Sequence, residues 1–331
     1  MGEFDLIERY FKVAQASNAS VALGIGDDCA LLQSRPGTQM AISSDMLVEG
    51  RHFLSTVSPQ ALGHKALAVN LSDLAACGAT PIGFTLALAL PRVDEAWLAG
   101  FSHGLLQLAA AHQCVLVGGD TAQGPLNICI TVFGEVPLVN GKSQALLRSG
   151  AQVGDDIYVS GNLGDARLAL EVFRGNLQVD ESIFSHCRQR MERPTPRIAL
   201  GSALRGVASA AIDVSDGLLG DLGHILKASR VGACIDIPVA INLVAACAYS
   251  AWLKANIPPE KQLDLVLCGG DDYELVFTAA PAVRAAVQAA SQNTATPVTR
   301  IGQIEAETGQ RLRDAHGQVC AAQFSSFDHF A

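Results

Sequence analysis

The residues with the most evident chemical potential are aspartates that recur beside glycine, serine or threonine, where an apolar run ends or a helix is expected to begin. Six stretches carry this pattern: GIGDDCALL (24–32), SSDM (43–46), NLSDLAACG (70–78), VGGDT (117–121), AIDVSDGLLGDL (211–222) and GGDDYEL (269–275). Loops at strand ends are where a rigid scaffold presents binding groups. Hard cations prefer oxygen ligands, and Mg²⁺ takes one or two carboxylates together with water and phosphate oxygens. The pattern therefore favours a divalent-cation site that handles phosphate.

Each aspartate has a simpler interpretation when it is taken singly. Asp216, or Ser72 with Asp73, is typical of a helix N-cap. Asp27 and Asp28 precede an apolar run that reads as a strand, where successive side chains point to opposite faces, so we expect the inward carboxylate to be neutralised. Two bare carboxylates about 4 Å apart repel by about 4 kcal/mol at an effective dielectric of about 20. If the strand ends converge, bound cations or raised carboxylate pKa values are required to relieve this repulsion.

The elements that must position these residues alternate between helix and strand. Helical periodicity predicts a first helix in MGEFDLIERYFKVAQ and others over 59–77, over 94–113 beginning at Asp94, in GDARLALEVF and in DGLLGDLGHILKAS. Strands are predicted near 29–33, 39–46 and 82–90, and in CVLVGG, LNICITVFGEV, IYVSG, ASAAIDVS, GACIDIPV and YELVFTAA. The stretch RSGAQVGDD (148–156) is the best candidate for a domain boundary. The chain of 331 residues is therefore expected to be α/β (α+β) with two domains.

Composition excludes several classes of partner and location. The net charge is −9 and no cluster of Lys and Arg is present, so we expect no nucleic-acid or membrane partner. The start has no basic and apolar leader, and nine cysteines without a CxxC pair indicate reduced thiols in the cytoplasm rather than zinc ligands.

The sequence contains partial matches to two common nucleotide-binding motifs, and neither motif is complete. NGKS (140–143) lacks the glycine five positions earlier that a P-loop needs, and a polar turn between strands is the better interpretation. GIGDDC lacks the third glycine of a dinucleotide fingerprint. HExxH, G-x-S-x-G and protein-kinase signatures are absent from the sequence.

Taken in order and spacing, the motifs resemble one family. GIGDDCAL, SSDMLVEGRHF, ALAVNLSDLAACGATP, GGDTAQGP, AIDVSDGLLGDLGHI and GGDDYELVF are similar to the thiamine-monophosphate kinase family, and the resemblance extends from GEFDLIERYF to the terminal FDHF. Aminoimidazole ribonucleotide synthetase and selenophosphate synthetase belong to the wider superfamily, but EGRHF combined with GGDDYEL is much more like the thiamine enzymes. The resemblance implies ATP-dependent phosphorylation of thiamine monophosphate to thiamine diphosphate, with several Mg²⁺ ions and a homodimer. It also implies an N-terminal domain (1–148) that binds ATP and Mg²⁺ and dimerises, and a C-terminal α/β domain (149–331) that completes the active site.

The resemblance also implies roles for individual residues. Positions that bind Mg²⁺ in the family correspond to Asp28, Ser43, Ser44, Asp45, Asp73, Asp120, Asp213 and Asp216. Positions that contact the nucleotide correspond to Gly119, Asp120, Arg148 and Ser215, and positions that contact thiamine monophosphate correspond to His52, Asp271 and Phe327. Two of these depart from the family pattern, since position 271 commonly carries Glu and position 327 often carries Tyr or Trp.

The chemistry that the resemblance implies needs no catalytic residue. The second pKa of a phosphate monoester is about 6, so the acceptor is largely ionised near neutral pH and no general base is expected. Direct in-line attack on the γ-phosphorus of ATP is the expected mechanism.

Other functions remain open at this point. Selenophosphate synthetase would need a reactive cysteine or selenocysteine in a glycine-rich N-terminal segment, which MGEFDLIERYF lacks. Aminoimidazole ribonucleotide synthetase would turn over a formylglycinamidine substrate. A non-catalytic nucleotide or Mg²⁺ sensor would bind ATP without releasing ADP, and an aspartyl-phosphate hydrolase would trap phosphate on an aspartate.

Overall fold

The computed structural model of the chain describes residues 2–12, 18–243 and 256–321. The chain divides into two compact units: unit 1 comprises Met1–Leu74 and Ala79–Ala145, and unit 2 comprises Ala75–Gly78 and Leu146–Ala331. Each unit combines a mixed sheet with helices, so the predicted α/β (α+β) class is confirmed. The separate roles predicted for residues 1–148 and 149–331 stay predictions at this point.

The first half of the chain supplies the sheet of unit 1. Its helices are α1 (Glu3–Tyr10), α2 (Pro59–Ala76) and α3 (Glu95–Ala111). Its strands are β1 (Val21–Leu23), β2 (Leu31–Leu32), β3 (Thr38–Val48), β4 (Thr80–Leu90), β5 (Val115–Gln123), β6 (Asn127–Val139) and β7 (Lys142–Ser143). The main sheet has the order β3-β6-β4-β5, in which β4 and β5 are parallel and the other pairs are antiparallel. Helix α3 makes the crossover that a parallel pair requires.

One face of this sheet is buried and the other is not. Along β3, Leu47 is buried, whereas Ile42 and Met46, which point to the other side, are exposed. The buried face packs with α2, whose Leu67 and Leu71 are fully buried. We call the other side the open face; it carries Ile42, Ser44 and Met46 of β3 with their register partners Phe133, Thr131 and Cys129 of β6.

The second half of the chain forms a seven-stranded sheet. Its helices are α4 (Asp165–Phe173), α5 (Glu181–Glu192), α6 (Ile198–Ala203), α7 (Leu218–Ser229), α8 (Ile237–Ala240), α9 (Pro259–Cys268) and α10 (Arg284–Asn293), with short 3-10 helices at Ile241–Leu243 and Pro281–Val283. Its strands are β8 (Asp156–Ser160), β9 (Ala210–Asp213), β10 (Gly232–Asp236), β11 (Leu275–Ala279), β12 (Val298–Glu305), β13 (Gly309–Arg313) and β14 (Val319–Ala321). The strand order is β14-β13-β10-β12-β8-β11-β9, and only β10 and β13 pair in parallel among these described strands.

The core of unit 2 explains why β8, β9 and β11 have no exposed residues. All three strands are buried along their whole length, although β9 is an edge strand of the sheet and only β8 and β11 are central. Helix α7 packs its Leu218, Leu222 and Ile225 into the same core. The C-terminal end of β9 and the N-terminal end of β11 lie side by side, since Asp213 pairs with Leu275.

Several local predictions are confirmed. Asp94 begins α3 as its N-cap, and its Oδ1 accepts the backbone N–H of Trp97 at 3.0 Å. The polar turn predicted at NGKS is formed by Asn140 and Gly141, which connect the paired strands β6 and β7, and Lys142–Ser143 are β7 itself. Among the helices built from described residues, none has the length and apolar character needed to cross a bilayer.

The strand predicted near 29–33 is present but short, and it does not extend back to the two aspartates. Asp27 and Asp28 lie in an exposed turn, and β2 begins only at Leu31. Since both carboxylates are exposed, neither has to be neutralised inside the fold. Asp27 stabilises the turn, because its Oδ1 accepts the backbone N–H of Asp28 at 2.9 Å.

The predicted N-caps at Ser72–Asp73 and Asp216 are wrong. Ser72 and Asp73 lie near the C-terminal end of α2, whereas Asp216 precedes Gly217, which is the N-cap of α7. The strand predicted in GACIDIPV also ends early, at Asp236, because Pro238 has no N–H for a sheet ladder and suits the first turn of α8.

Candidate active site

In unit 1, three of the predicted Mg²⁺ ligands lie between β3 and α2. Ser43 and Asp45 are two residues apart on β3, so both point to the face that α2 covers. The Ser43 hydroxyl donates to Oδ2 of Asp73 at 2.5 Å. Oδ1 of Asn70, three residues earlier on α2, accepts the backbone N–H of Asp45 at 3.1 Å. This arrangement holds one strand and one helix together through oxygen atoms.

Asn70 is a site residue that the sequence reasoning missed. Its side chain is buried, and its amide nitrogen donates to the carbonyl of Ala66 at 3.0 Å while its oxygen fixes the main chain at Asp45. The motif NLSDLAACG includes Asn70, but only the contact with β3 distinguishes it from an ordinary helical asparagine.

Ser44 does not join this cluster. Its hydroxyl lies on the open face, where it donates to the carbonyl of Ile130 at 3.1 Å and hydrogen bonds to the hydroxyl of Thr131 at 2.9 Å. Adjacent residues of a strand point to opposite faces, so the Ser44 hydroxyl and the Ser43 hydroxyl are separated by the sheet. The predicted ligand pair is therefore divided between two faces.

Gly119 and Asp120 lie on β5, at the edge opposite β3. Asp120 is exposed, and its register partner on β4 is Ala87. Ala87 pairs with Cys129 of β6, which pairs with Met46 of β3. Three strand spacings, about 14 Å, therefore separate the main chain of Asp120 from β3. Within unit 1, the main chains of Asp120 and Asp45 therefore lie on opposite edges of the sheet.

Gly119 is required by a close backbone contact. Its φ of 152° lies in a region that other residues rarely adopt, and a Cβ there would lie 1.9 Å from the carbonyl oxygen of Leu86 on β4. The glycine lets β4 and β5 keep their register immediately before Asp120.

His52 lies in the turn that follows β3. Its Nδ1 accepts the backbone N–H of Val48 at 3.1 Å, and its own N–H donates to the Val48 carbonyl at 3.0 Å. An N–H donor requires Nδ1 to be unprotonated, so the neutral ring carries its proton on Nε2. Asp28 stays in the exposed GIGDDC turn described above.

In unit 2, the predicted residue Asp213 ends β9, and the predicted residues Ser215 and Asp216 lie in the loop that follows it. The loop 214–217 is fixed by Asp221, whose Oδ2 accepts the backbone N–H groups of Ser215, Asp216 and Gly217 at 3.0, 3.0 and 3.1 Å. Burial raises the pKa of Asp221 to about 7, and repulsion from Asp216 adds to the rise, while the three N–H donors oppose it. Sequence reasoning placed Asp221 in the motif but gave it no role.

The GGDDYEL motif docks on this loop. The backbone N–H of Asp271 donates to the carbonyl of Ser215 at 2.9 Å, and that of Tyr273 donates to Val214 at 2.9 Å. A Cβ at Gly270 would lie 2.3 Å from the Ser215 carbonyl oxygen, so this approach needs glycine. The predicted nucleotide and substrate residues Ser215 and Asp271 are thus brought together by main-chain hydrogen bonds.

Asp271 and Tyr273 both have left-handed backbones, with φ of 67° and 51°. Such conformations are costly outside glycine and concentrate at functional sites. The Tyr273 hydroxyl donates to Oδ1 of Asp271 at 3.2 Å, which orients the carboxylate.

The alternate residues of the motif point into the core. Glu274 is fully buried and binds Arg197 through two hydrogen bonds and Arg190 through one of 2.8 Å, while Ser160 donates to it at 2.6 Å. The buried Asp272 accepts the backbone N–H of Gly164 through Oδ2 at 2.8 Å, and its Oδ1 has no hydrogen-bond partner. Burial raises the pKa of Asp272 well above its usual range, and the Asp165 and Glu274 carboxylates add to the rise.

The predicted nucleotide contact Arg148 starts from a main chain that lies away from the Ser215 loop. The main chain of Arg148 lies by Ser229 at the C-terminal end of α7, since its carbonyl accepts the Ser229 hydroxyl at 3.3 Å. Twelve helical residues, about 17 Å, separate that end from the Ser215 loop. Phe327 lies outside the described residues.

The donor atoms fit a hard cation. The predicted ligands offer carboxylate and hydroxyl oxygens, which Mg²⁺ prefers over sulfur or imidazole. Within residues 2–12, 18–243 and 256–321, however, no three His, Cys, Asp or Glu side chains are grouped closely enough to hold a metal. The residues fit Mg²⁺ by chemistry, and the assignment of individual ligands stays a prediction.

Comparison with known proteins covers almost the whole chain. Residues 26–136 match the family model for the N-terminal domain of AIR synthase related proteins, and residues 152–315 match the model for their C-terminal domain. The thiamine-monophosphate kinase of Escherichia coli (strain K12) is 46% identical over 331 residues, which cover 100% of this chain and 98% of the relative.

Solved structures agree with this comparison. The crystal structure of thiamine-monophosphate kinase from Stenotrophomonas maltophilia K279a has a TM-score of 0.81 and 44% identity, covering 92% of this chain and 93% of that one. The structure of "AaThiL complexed with AMPPCP and TMP" has a TM-score of 0.75 and 28% identity, covering 90% of this chain and 89% of that one. Matched along its full length at such identity, the chain belongs to the thiamine-monophosphate kinase family of enzymes.

Proposed function

We propose that this chain transfers the γ-phosphoryl group of ATP to thiamine monophosphate, giving thiamine diphosphate and ADP, the last step of thiamine diphosphate biosynthesis. The observation that carries the proposal is the docking of the Ser215 loop against the Asp271 segment, since Ser215 is a residue that we assign to the nucleotide and Asp271 is one that we assign to the substrate. The relative complexed with AMPPCP and TMP supports the same pair of ligands.

The site residues would act by holding charge rather than by moving protons. We assign Mg²⁺ binding to Asp28, Ser43, Ser44, Asp45, Asp73, Asp120, Asp213 and Asp216. When bound, the ions would bridge and screen the phosphate oxygens of ATP. The acceptor phosphate is already largely ionised near neutral pH, so direct in-line transfer requires no general base.

Nucleotide and substrate contacts complete the assignment. Gly119, Asp120, Arg148 and Ser215 are assigned to the nucleotide, and His52, Asp271 and Phe327 are assigned to thiamine monophosphate. For Asp271 the support is geometric, since a half-buried carboxylate held by Tyr273 can accept a hydrogen bond or face the cationic thiazolium ring. For His52 the support is its fixed orientation in the turn after β3, where its Nδ1 accepts the backbone N–H of Val48.

We also propose a homodimer formed through the open face of unit 1. Ile42 is 63% exposed and Met46 is 52% exposed on a flat sheet surface, and contiguous apolar surface of this kind marks interaction sites. A second copy of the same face is the occupant that a closed two-fold dimer requires.

The dimer is tested by sedimentation velocity of the wild-type chain and of Ile42→Glu, with Val93→Glu as a control at an exposed apolar position off the sheet. We expect Ile42→Glu to sediment as a monomer and the other two as dimers. A monomeric wild type at micromolar concentration would contradict the proposal.

A cytoplasmic location is the last part of the proposal. The cysteines among the described residues are free thiols, and four of them (Cys114, Cys187, Cys234 and Cys268) are buried as small apolar side chains. Unpaired thiols of this kind are typical of a reducing compartment.

One assay tests the reaction. The purified chain is incubated with ATP, Mg²⁺ and thiamine monophosphate, and the products are separated by chromatography. We expect thiamine diphosphate and ADP in equal amounts, and none when thiamine, the formylglycinamidine substrate or selenide replaces the monophosphate. ATP binding without ADP release would instead indicate a sensor, and phosphate bound to an aspartate in the mass spectrum would indicate a covalent mechanism.

A further inference from the structure

The carboxylate of Asp221 makes hydrogen bonds that have no role in the proposed phosphoryl transfer. The residue lies in the first turn of α7 with only 3% of its surface exposed, yet its carboxylate turns back over the start of the helix. There, one oxygen accepts three consecutive main-chain N–H groups, those of residues 215–217. Helix N-termini leave such donors without intrahelical partners, and here a side chain of the same helix supplies the acceptor.

The 214–217 loop, which Asp221 holds, also accepts hydrogen bonds from the 270–273 segment. The Ser215 carbonyl accepts the N–H of Asp271 and the Val214 carbonyl accepts the N–H of Tyr273, both at 2.9 Å. The loop therefore has its N–H groups bound on one side by Asp221 and two carbonyls bound on the other side by the 270–273 segment. Because these main-chain groups are hydrogen bonded on both sides, the backbone of the loop is held in one position. That backbone position determines where the side chains of Ser215 and Asp216 are placed.

We propose that Asp221 is a positioning residue, whose carboxylate fixes the 214–217 loop and, through it, the 270–273 segment that carries Asp271. The inference rests on the proposed function, because Ser215, Asp216 and Asp271 are the residues that would meet nucleotide, metal and substrate. The Oδ2 atom of Asp221 is directed at the main chain, so the residue would act on these ligands through the loop that it holds.

The test compares Asp221→Ala with Leu222→Ala, a fully buried neighbour on the same helix that contributes only packing. We expect Asp221→Ala to lower kcat/KM for both ATP and thiamine monophosphate by about tenfold or more relative to Leu222→Ala, because three charge-assisted hydrogen bonds are lost. Asp221→Asn keeps an acceptor oxygen and should recover part of the loss.

A second measurement does not depend on activity. Hydrogen–deuterium exchange followed by mass spectrometry should show faster exchange in peptides covering 214–218 and 270–273 in Asp221→Ala, and not in Leu222→Ala at matched melting temperature. If the wild-type chain makes no thiamine diphosphate, the proposed function fails while the exchange experiment still decides the role of Asp221.

Unchanged exchange in both peptides, or kinetics equal to those of Leu222→Ala, would overturn the inference. If Asp221→Ala does not fold, Asp221→Leu, which is similar in shape but accepts no hydrogen bond, decides alone, and wild-type exchange and kinetics in that variant would count against a positioning role.

Discussion

Replacement of Gly119 by alanine tests whether the β4–β5 contact determines the position of Asp120. The new Cβ would lie 1.9 Å from the Leu86 carbonyl oxygen, at a φ of 152°. Ordinary C···O contacts in sheets are about 3.3–3.6 Å, so the strands must separate by roughly 1.5 Å. Overpacking of this kind costs about 1–3 kcal/mol and the unfavourable φ costs about 1–2 kcal/mol more. We therefore expect Gly119→Ala to lower the free energy of unfolding by about 2–5 kcal/mol.

The neighbouring glycine provides a matched control. A Cβ at Gly118 would have no atom within 4 Å, so Gly118→Ala should be neutral or slightly stabilising. Urea denaturation of both variants measures the difference, and the KM for ATP in the folded fraction shows whether Asp120 has moved. If the two variants unfold within about 0.5 kcal/mol of each other, the close contact does not constrain the sheet and the reasoning is refuted.

Two further predictions concern charge. Asp45→Asn and Asp213→Asn should each reduce turnover by about a hundredfold while leaving the urea midpoint nearly unchanged, because they remove carboxylates proposed to hold the Mg²⁺ that neutralises phosphate, and not core packing; the exposed Asp180→Asn is the control, and normal turnover of either variant at saturating Mg²⁺ would contradict the ligand assignment. Burial raises the pKa of Asp272, so the stability that its proton provides is complete below about pH 4 and is lost as the pH rises through the raised value. Urea midpoints at pH 5, 7 and 9 should therefore fall in the wild type relative to Asp272→Asn, which keeps an acceptor for the Gly164 N–H and carries no charge; a constant difference between the two would show that Asp272 does not titrate in this way.

Local sequence signals predicted the fold well where the determining contacts are short in range. Asp94 as a helix cap, the NGKS turn and the alternation of helix and strand all depend on neighbours within a few residues. The capping predicted for Asp216 failed because Gly217 occupies the N-cap, and an aspartate five positions further on supplies the acceptor. A back-turned side chain of this kind leaves no periodic signal in the sequence.

In the candidate site, too, local features could be predicted from the sequence, whereas contacts between distant residues could not. Residue types and spacing identified Ser43, Asp45 and Asp73 as oxygen donors, and the strand period explains why Ser44 is directed to the other face. What spacing did not supply is register: Asp120 lies three strands from β3 because of pairings between residues far apart in the chain. The contact of Asn70 with Asp45 likewise depends on how a helix packs on a strand, which only the tertiary structure determines.

The family commonly carries glutamate where this chain has Asp271, and the anchoring of 270–273 determines what that difference means. The main-chain hydrogen bonds of Asp271 and Tyr273, together with the burial of Asp272 and Glu274 in the core, fix the backbone of this segment. The backbone therefore cannot shift to compensate for the shorter side chain of aspartate. The acid group therefore ends about 1.5 Å, one carbon–carbon bond, further from any substrate than a glutamate would reach. Under the proposed assignment of Asp271 to thiamine monophosphate, a water molecule or a slightly deeper position of the thiamine ring would bridge that distance, so the substrate and not the protein backbone would adjust to the exchange.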